Sequence, residues 1–153
     1  MESIMRVREA VIEDADALDE MLTRLIHAEA NYDKNLNDQS VVKDNYRKRI
    51  GMEGHKIFVV EEEGKMIGFL YGFVYDIPDL WREPAAILDA LFVDEQYRRR
   101  GCARMLIEEF KSFARRGGAC RIELKVLSKN VDALKLYQTL EFVETKKYLS
   151  LAL

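Results

Sequence analysis

Nine consecutive residues, Ala85 to Val93, are apolar except for Asp89. Such a run reads as a strand buried on both faces, which requires a sheet with layers above and below it. The next segment narrows the topology. From Gly101 to Arg116, Ala103, Leu106, Ile107, Phe110, Phe113 and Ala114 fall on one helical face, and Gly117-Gly118 ends the helix. Arg121 to Val126 then reads as another strand, making a βαβ crossover.

The first half of the chain has a different rhythm. Met5 to Ala10 alternates as a strand, and Asp14 can cap a helix carrying Leu18, Met21, Leu22, Leu25 and Ile26 at i, i+3, i+4, i+7 and i+8. A second helix is expected over Ser40 to Ile50. Lys56 to Glu62 is β-branched and aromatic, Gly64 supplies a turn, and Met66 to Asp76 returns as an antiparallel partner. Beyond the crossover, Asn130 to Leu140 reads as a helix and Phe142 to Leu151 as a last strand. The order βααβββαβαβ predicts an α/β (α+β) fold with a mixed, mostly antiparallel central sheet and helices on both faces. The 153 residues suit one domain, 1–153, that needs no disulfide or metal for stability.

Composition removes several function classes. Hydrophobic residues are 48% and charged residues 33%, ordinary globular usage. No apolar stretch is long enough to span a membrane, and charge begins at Glu2, where a signal peptide would want a basic start and an apolar run. Net charge is −3, whereas nucleic-acid binders usually carry a strong basic excess, so neither a membrane nor a nucleic-acid partner is expected. Cys102 and Cys120 read as reduced thiols of a cytoplasmic protein. His27 and His55 are far apart without a second ligand at useful spacing, so no metal is expected.

Chemistry concentrates in Leu91-Phe92-Val93-Asp94-Glu95-Gln96-Tyr97-Arg98-Arg99-Arg100-Gly101-Cys102-Ala103. A buried strand ends, and a short basic loop opens a helix at a glycine. First-turn N–H groups have no intrahelical acceptor and the helix dipole favours anions, so the junction suits a pyrophosphate. Arg98, Arg99, Arg100 and Arg104 add positive charge. A solvated basic loop capping an ordinary helix is the plainer alternative. A Walker loop is excluded because no Gly-Lys-Ser/Thr follows, and the dinucleotide fingerprint lacks its second glycine.

Arg98-x-x-Gly101-x-Ala103 resembles the Gln/Arg-x-x-Gly-x-Gly/Ala signature of the GNAT superfamily of acyl-CoA-dependent N-acetyltransferases. Asn130-x-x-Ala133-x-x-Leu136-Tyr137-x-x-x-x-Phe142 is similar to that family's second motif, and the Arg8-Glu9-Ala10 start followed by Asp14 is common in it. The resemblance implies acetyl-CoA (coenzyme A) as cofactor. Backbone N–H groups from about Arg99 to Ala103 would hold its pyrophosphate, and Leu91, Phe92 and Val93 would pair with the pantetheine arm where two strands splay apart. Asn130 and Ala133 would flank it from the other side, although helix capping alone explains an asparagine there. Cys102 sits where arginines and a helix N-terminus lower a thiol's pKa, yet the resemblance places it by the pyrophosphate rather than the thioester. Glu141 departs from the family, which usually has glycine there. A left-handed backbone at that point costs a β-carbon-bearing residue about 1 kcal/mol or more.

The implied reaction is direct attack of an amine on the thioester in a ternary complex. An ammonium must first lose a proton, and Asp89 is the candidate base. A lone carboxylate in an apolar strand costs several kcal/mol unless paired or used; a structural carboxylate at a strand bulge is the alternative. Tyr137 lies two helical turns after Asn130, so both can face the cofactor groove, and its hydroxyl is the candidate acid for the departing thiolate. The acceptor is expected to be a small cationic amine or a protein or peptide amine, lined by His27, Glu29, Tyr32, Asp33, Tyr75, Asp76 and Trp81. The family's dimers suggest a homodimer. A non-catalytic acyl-CoA-binding regulatory module is the alternative function.

Overall fold

The computed structural model describes residues 4–153. Five strands lie in one sheet in chain order: β1 (Met5–Glu9), β2 (His55–Glu62), β3 (Lys65–Tyr75), β4 (Ala85–Val93) and β5 (Ile122–Glu123). Neighbours from β1 to β4 are antiparallel and β4–β5 is parallel, the mixed sheet that a hairpin followed by a crossover dictates. Helix α1 (Ala15–Glu29) covers one face, while α2 (Cys102–Arg116) and α3 (Val131–Thr139) lie over the other. Leu18 and Met21 of α1 pack with Ile57, Val59, Phe69, Tyr71, Ala90 and Phe92. Leu106, Ile107, Phe110 and Ala114 of α2 pack with Phe58, Val60, Leu70, Ala86 and Leu88, joined by Leu136 and Tyr137 of α3.

Strand alternation fails once in β4, and the failure places Asp89. Ala86 and Leu88 face α2, whereas Ala90 and Phe92, of the same parity, face α1. The register explains the switch. Tyr71 pairs with Ala90 and Gly72 with Leu88, so Asp89 is the extra residue of a β-bulge. Gly72 is needed beside it, because a Cβ there would collide with the Phe110 ring and the Ile87 carbonyl.

Three local expectations are corrected. Residues 40–50 form turns rather than a helix. Tyr46 still packs on the sheet, but the N–H groups of Asn45 and Tyr46 donate to the buried Asp19 carboxylate at 3.2 and 3.0 Å, and Asp44 adopts φ +54°. Donors engaged in this way cannot feed a helical ladder. The expected last strand, 142–151, does not form; with β5 only two residues long it has no edge to pair with, and Val143, Leu149 and Leu151 stay exposed. Asp14 does not cap α1 with its side chain. It accepts from Val11 N–H at 2.8 Å and from both terminal nitrogens of Arg8 at 2.8 and 3.0 Å, closing a 3-10 turn at Ile12–Asp14 ahead of α1.

Candidate active site

β4 and β5 stay together for two rungs only, Ala86–Ile122 and Ile87–Glu123. Beyond them the β5 side of β4, past Asp89 to Leu91, Phe92 and Val93, has no strand neighbour among the described residues. Strands that part in mid-sheet leave backbone amides that an extended chain can pair with. At the end of the split, Asp94 caps a 3-10 turn (Glu95–Tyr97) by accepting from Gln96 N–H at 3.1 Å. Arg24 of α1 donates to Asp94 at 3.2 Å and stacks over Phe92 at 5.0 Å, tying α1 to this end of β4.

The loop into α2 has the form an anion requires. Gly101 adopts φ +84° as the N-cap residue, no side chain caps the helix, and a Cβ built on Gly101 would meet no atom within 4 Å. Met105 N–H makes the first intrahelical bond, to Gly101 O at 3.0 Å, so the N–H groups before it in the first turn have no intrahelical acceptor. This cradle fits a pyrophosphate. The arginines divide their labour differently from the sequence expectation. Arg98 folds back to donate to Val93 O at 3.1 Å, and Arg100 forms a bidentate pair with Glu62 at 3.0 and 2.9 Å. Arg99 and Arg104, like Arg98, have no salt bridge among the described residues; Arg104 and Ala103 occupy the first turn of α2. Cys102 is buried, with its Sγ 3.3 Å from Met5 Sδ. Burial raises its thiol pKa, contrary to the lowering that a helix N-terminus and arginines alone would give.

Asp89 is exposed at the split, so the desolvation cost expected for it does not arise. Its charge favours the protonated forms of Glu29, Tyr46, Tyr71 and Lys125. Burial raises the Glu29 pKa, and Asp33 and Asp89 raise it further. Tyr137 lies on α3 and packs against the α2-side core. Burial pushes its hydroxyl up to about 12, with the Glu29 carboxylate adding to the effect. Its ring stands edge-on to Phe142 at 5.6 Å, and the Asn130 side chain caps α3 by accepting from Ala133 N–H at 3.2 Å. The turn after α3 keeps a left-handed backbone at Glu141, φ +71°, despite its side chain.

The residues expected to line an acceptor divide into two groups. His27 bonds Ser40 O at 2.7 Å and holds the loop after α1, where Tyr32 and Asp33 are partly buried; Asp33 also accepts from Asn35 N–H. Tyr75 and Trp81 meet edge-to-face at 5.6 Å in the β3–β4 connection, and Asp76 is exposed there. Two cations lie over Trp81, Arg121 at 4.7 Å and Lys146 at 5.9 Å. Sequence reading missed Tyr46, Tyr71 and Lys125. Tyr71 looks like one more apolar strand residue, yet its hydroxyl is held by Arg49 Nε at 3.2 Å and His55 Nδ1 at 2.7 Å.

A sequence model described as the Acetyltransferase (GNAT) family matches residues 19–142. The chain belongs to this family. The GNAT chain is 30% identical over 131 residues to thialysine N-epsilon-acetyltransferase of Caenorhabditis elegans, covering 84% of this chain and 79% of that protein. It is 32% identical over 108 residues to human N-acetyltransferase 8, covering 71% of this chain but only 46% of the relative. Among solved structures, a mutant BH1408 protein from Bacillus halodurans superposes with a TM-score of 0.87 at 21% identity, over 97% of this chain and 99% of that one. The aminoglycoside N-acetyltransferase AAC(6')-Iy in complex with CoA gives 0.76 at 18% identity, over 99% and 96%. At such identities the structures speak for the fold, and the family match for the chemistry: this GNAT protein is an acetyl-CoA-dependent N-acetyltransferase. No described helix is long and apolar enough to cross a membrane.

Proposed function

We propose that this GNAT enzyme acetylates a small amine in the split between β4 and β5, by direct attack within a ternary complex. The observation carrying the reading is the exposed carboxylate of Asp89 on the bulge where β4 has just lost its β5 neighbour, with the open cradle at Gly101 beyond it. Acetyl-CoA supplies an activated acetyl thioester. Backbone N–H groups of Arg99 to Ala103 hold its pyrophosphate, the exposed edge of Leu91 to Val93 pairs with its amide-bearing arm, and Asn130 flanks it while capping α3.

The Asp89 carboxylate takes a proton from the acceptor ammonium, freeing the lone pair that attack needs. Asp89 suits this role because it is exposed on a bulge, with no ion-pair partner among the described residues. Glu29 and Asp33 hold the ammonium before transfer. Tyr137 Oη presents its proton to the departing sulfur; raised to about 12, the hydroxyl stays protonated throughout the working range and donates a hydrogen bond before it yields the proton. A β4 backbone N–H polarises the carbonyl without reorganisation.

The acceptor class is a small cationic amine, as the carboxylates around the split favour and as the relatives named for thialysine and aminoglycosides suggest. The protein works in the cytoplasm as one domain, and pairs as a homodimer through the exposed Val143, Leu149, Leu151 and Leu153. An amine panel scored by mass spectrometry for the acetylated product tests the activity. Acetylation of no amine by protein that binds acetyl-CoA would favour a regulatory cofactor-binding module instead.

A further inference from the structure

Lys125 follows β5 at the split and has no carboxylate partner among the described residues. Ile122 and Leu124 pack toward the α2 cluster, and Lys125 is exposed two residues past Glu123, as Asp89 is exposed two residues past Ile87, the partner of Glu123 in the last β4–β5 rung. Glu123 is fully engaged, by Arg121 at 2.6 Å and Lys146 at 3.2 Å. Lys125 makes no salt bridge among the described residues. Its ammonium lies 4.9 Å from the centre of the Tyr148 ring, and Tyr148 is itself 81% exposed. A cation on a ring face is steadied without being neutralised. The Tyr148 hydroxyl and the Asp89 charge both raise the Lys125 pKa, so the ammonium is present at any working pH.

The split therefore carries carboxylates toward β4 and α1, and an uncommitted ammonium on the β5 side. A purely cationic polyamine fits this badly, since any second ammonium reaching the β5 side meets Lys125. An amine that also carries an anion fits both walls. Resting on the reading of the split as the acetyl-transfer site, we propose that Lys125, steadied by Tyr148, is a specificity-determining residue that pairs with a carboxylate on the acceptor. The acceptor is then an amino-acid-like amine, its ammonium toward Asp89 and Glu29 and its carboxylate toward Lys125. This narrows the cationic class by requiring one anionic group.

Pairs of acceptors that differ only in the carboxylate test the assignment: lysine against cadaverine, ornithine against putrescine, and lysine methyl ester as a third member. The parent protein should show kcat/KM roughly tenfold or more higher for lysine than for cadaverine or the ester, the range of one charge-assisted pair. Lys125→Met should collapse that ratio toward unity, Lys125→Glu should invert it, and Lys125→Arg should restore most of it. Thermal stabilisation by acetyl-CoA reports whether each variant is folded. A parent that prefers cadaverine, or a ratio unchanged in Lys125→Met, overturns the proposal while leaving acetyl transfer intact. Stabilisation by acetyl-CoA with no amine acetylated at all overturns the transfer reading and this proposal with it.

Discussion

Ile87 and Glu123 form the last rung between β4 and β5, and the next residues of β4 meet a strand on one side only. The cradle at Gly101 lies at the far end of that open edge. Acetyl-CoA at 100 times its Kd should therefore stabilise the fold by about 2.7 kcal/mol, read as a rise in Tm. Gly101→Val places a branched side chain in the open space and at φ +84°, which by itself costs about 1–2 kcal/mol. The variant should stay folded and lose most of the cofactor-induced rise. A parental rise in the variant would remove the pyrophosphate from this loop.

Asp89→Asn keeps the shape of the bulge residue and removes its charge. Turnover at neutral pH should fall by roughly 10²-fold or more, the usual worth of a positioned base, with the acetyl-CoA thermal shift unchanged. Undiminished turnover would return Asp89 to a purely structural place in β4. Glu29→Gln, by contrast, should raise KM for the amine more than it lowers kcat, because Glu29 is assigned to holding the ammonium.

Much of this arrangement was legible in the residues, for a physical reason. Ala85–Val93 announces itself because burial on both faces demands apolar side chains at nearly every position. The Gly101 helix start is equally plain, because both glycine and the basic loop are local signals. The bulge at Asp89 was legible only as one of two readings of a lone carboxylate, not from the apolar pattern. One extra residue in a strand apolar on both faces does not disturb the pattern, although it reverses which face Ala90 and Phe92 occupy. Residues 40–50 misled because Tyr46 and Ile50 have helical spacing, while their fold is decided by the Asp19 carboxylate 25 residues and more away. The effect of the Glu29 charge on Tyr137 links residues on α1 and α3, far apart in the chain, and no local periodicity encodes it.

Glu141 occupies a left-handed turn at φ +71° where glycine would be free of strain. Glu141→Gly should stabilise the fold by about 1 kcal/mol, seen as a higher urea midpoint with an unchanged slope. A lower midpoint would mean that the glutamate side chain contributes more than its backbone strain costs.

The Arg8 ion pairs make stability depend on acid. Arg8 donates to Asp14 and Glu61, and these bonds hold both carboxyls below their ordinary range. A folded pKa below the unfolded one gives stability that is complete above the unfolded value and is lost as pH falls through the folded value. That loss therefore falls below about pH 4. In Arg8→Met the urea midpoint should be lower than the parent's at neutral pH, and the gap should narrow steadily once the pH drops into that range. A gap that stays constant down to the acid limit would show that Arg8 acts through packing alone.

Tyr137→Phe keeps the ring against Phe142 and deletes only the hydroxyl. Amine-dependent release of free CoA, followed by thiol titration where chemistry limits the rate, is the direct measurement of whether this split performs acetyl transfer. The parent should release CoA in step with acetylated amine, with no alkaline limb from Tyr137 until the pH approaches its raised value of about 12. Tyr137→Phe should lose roughly 10²-fold or more in turnover with its acetyl-CoA thermal shift intact. Parental turnover in Tyr137→Phe would contradict the account.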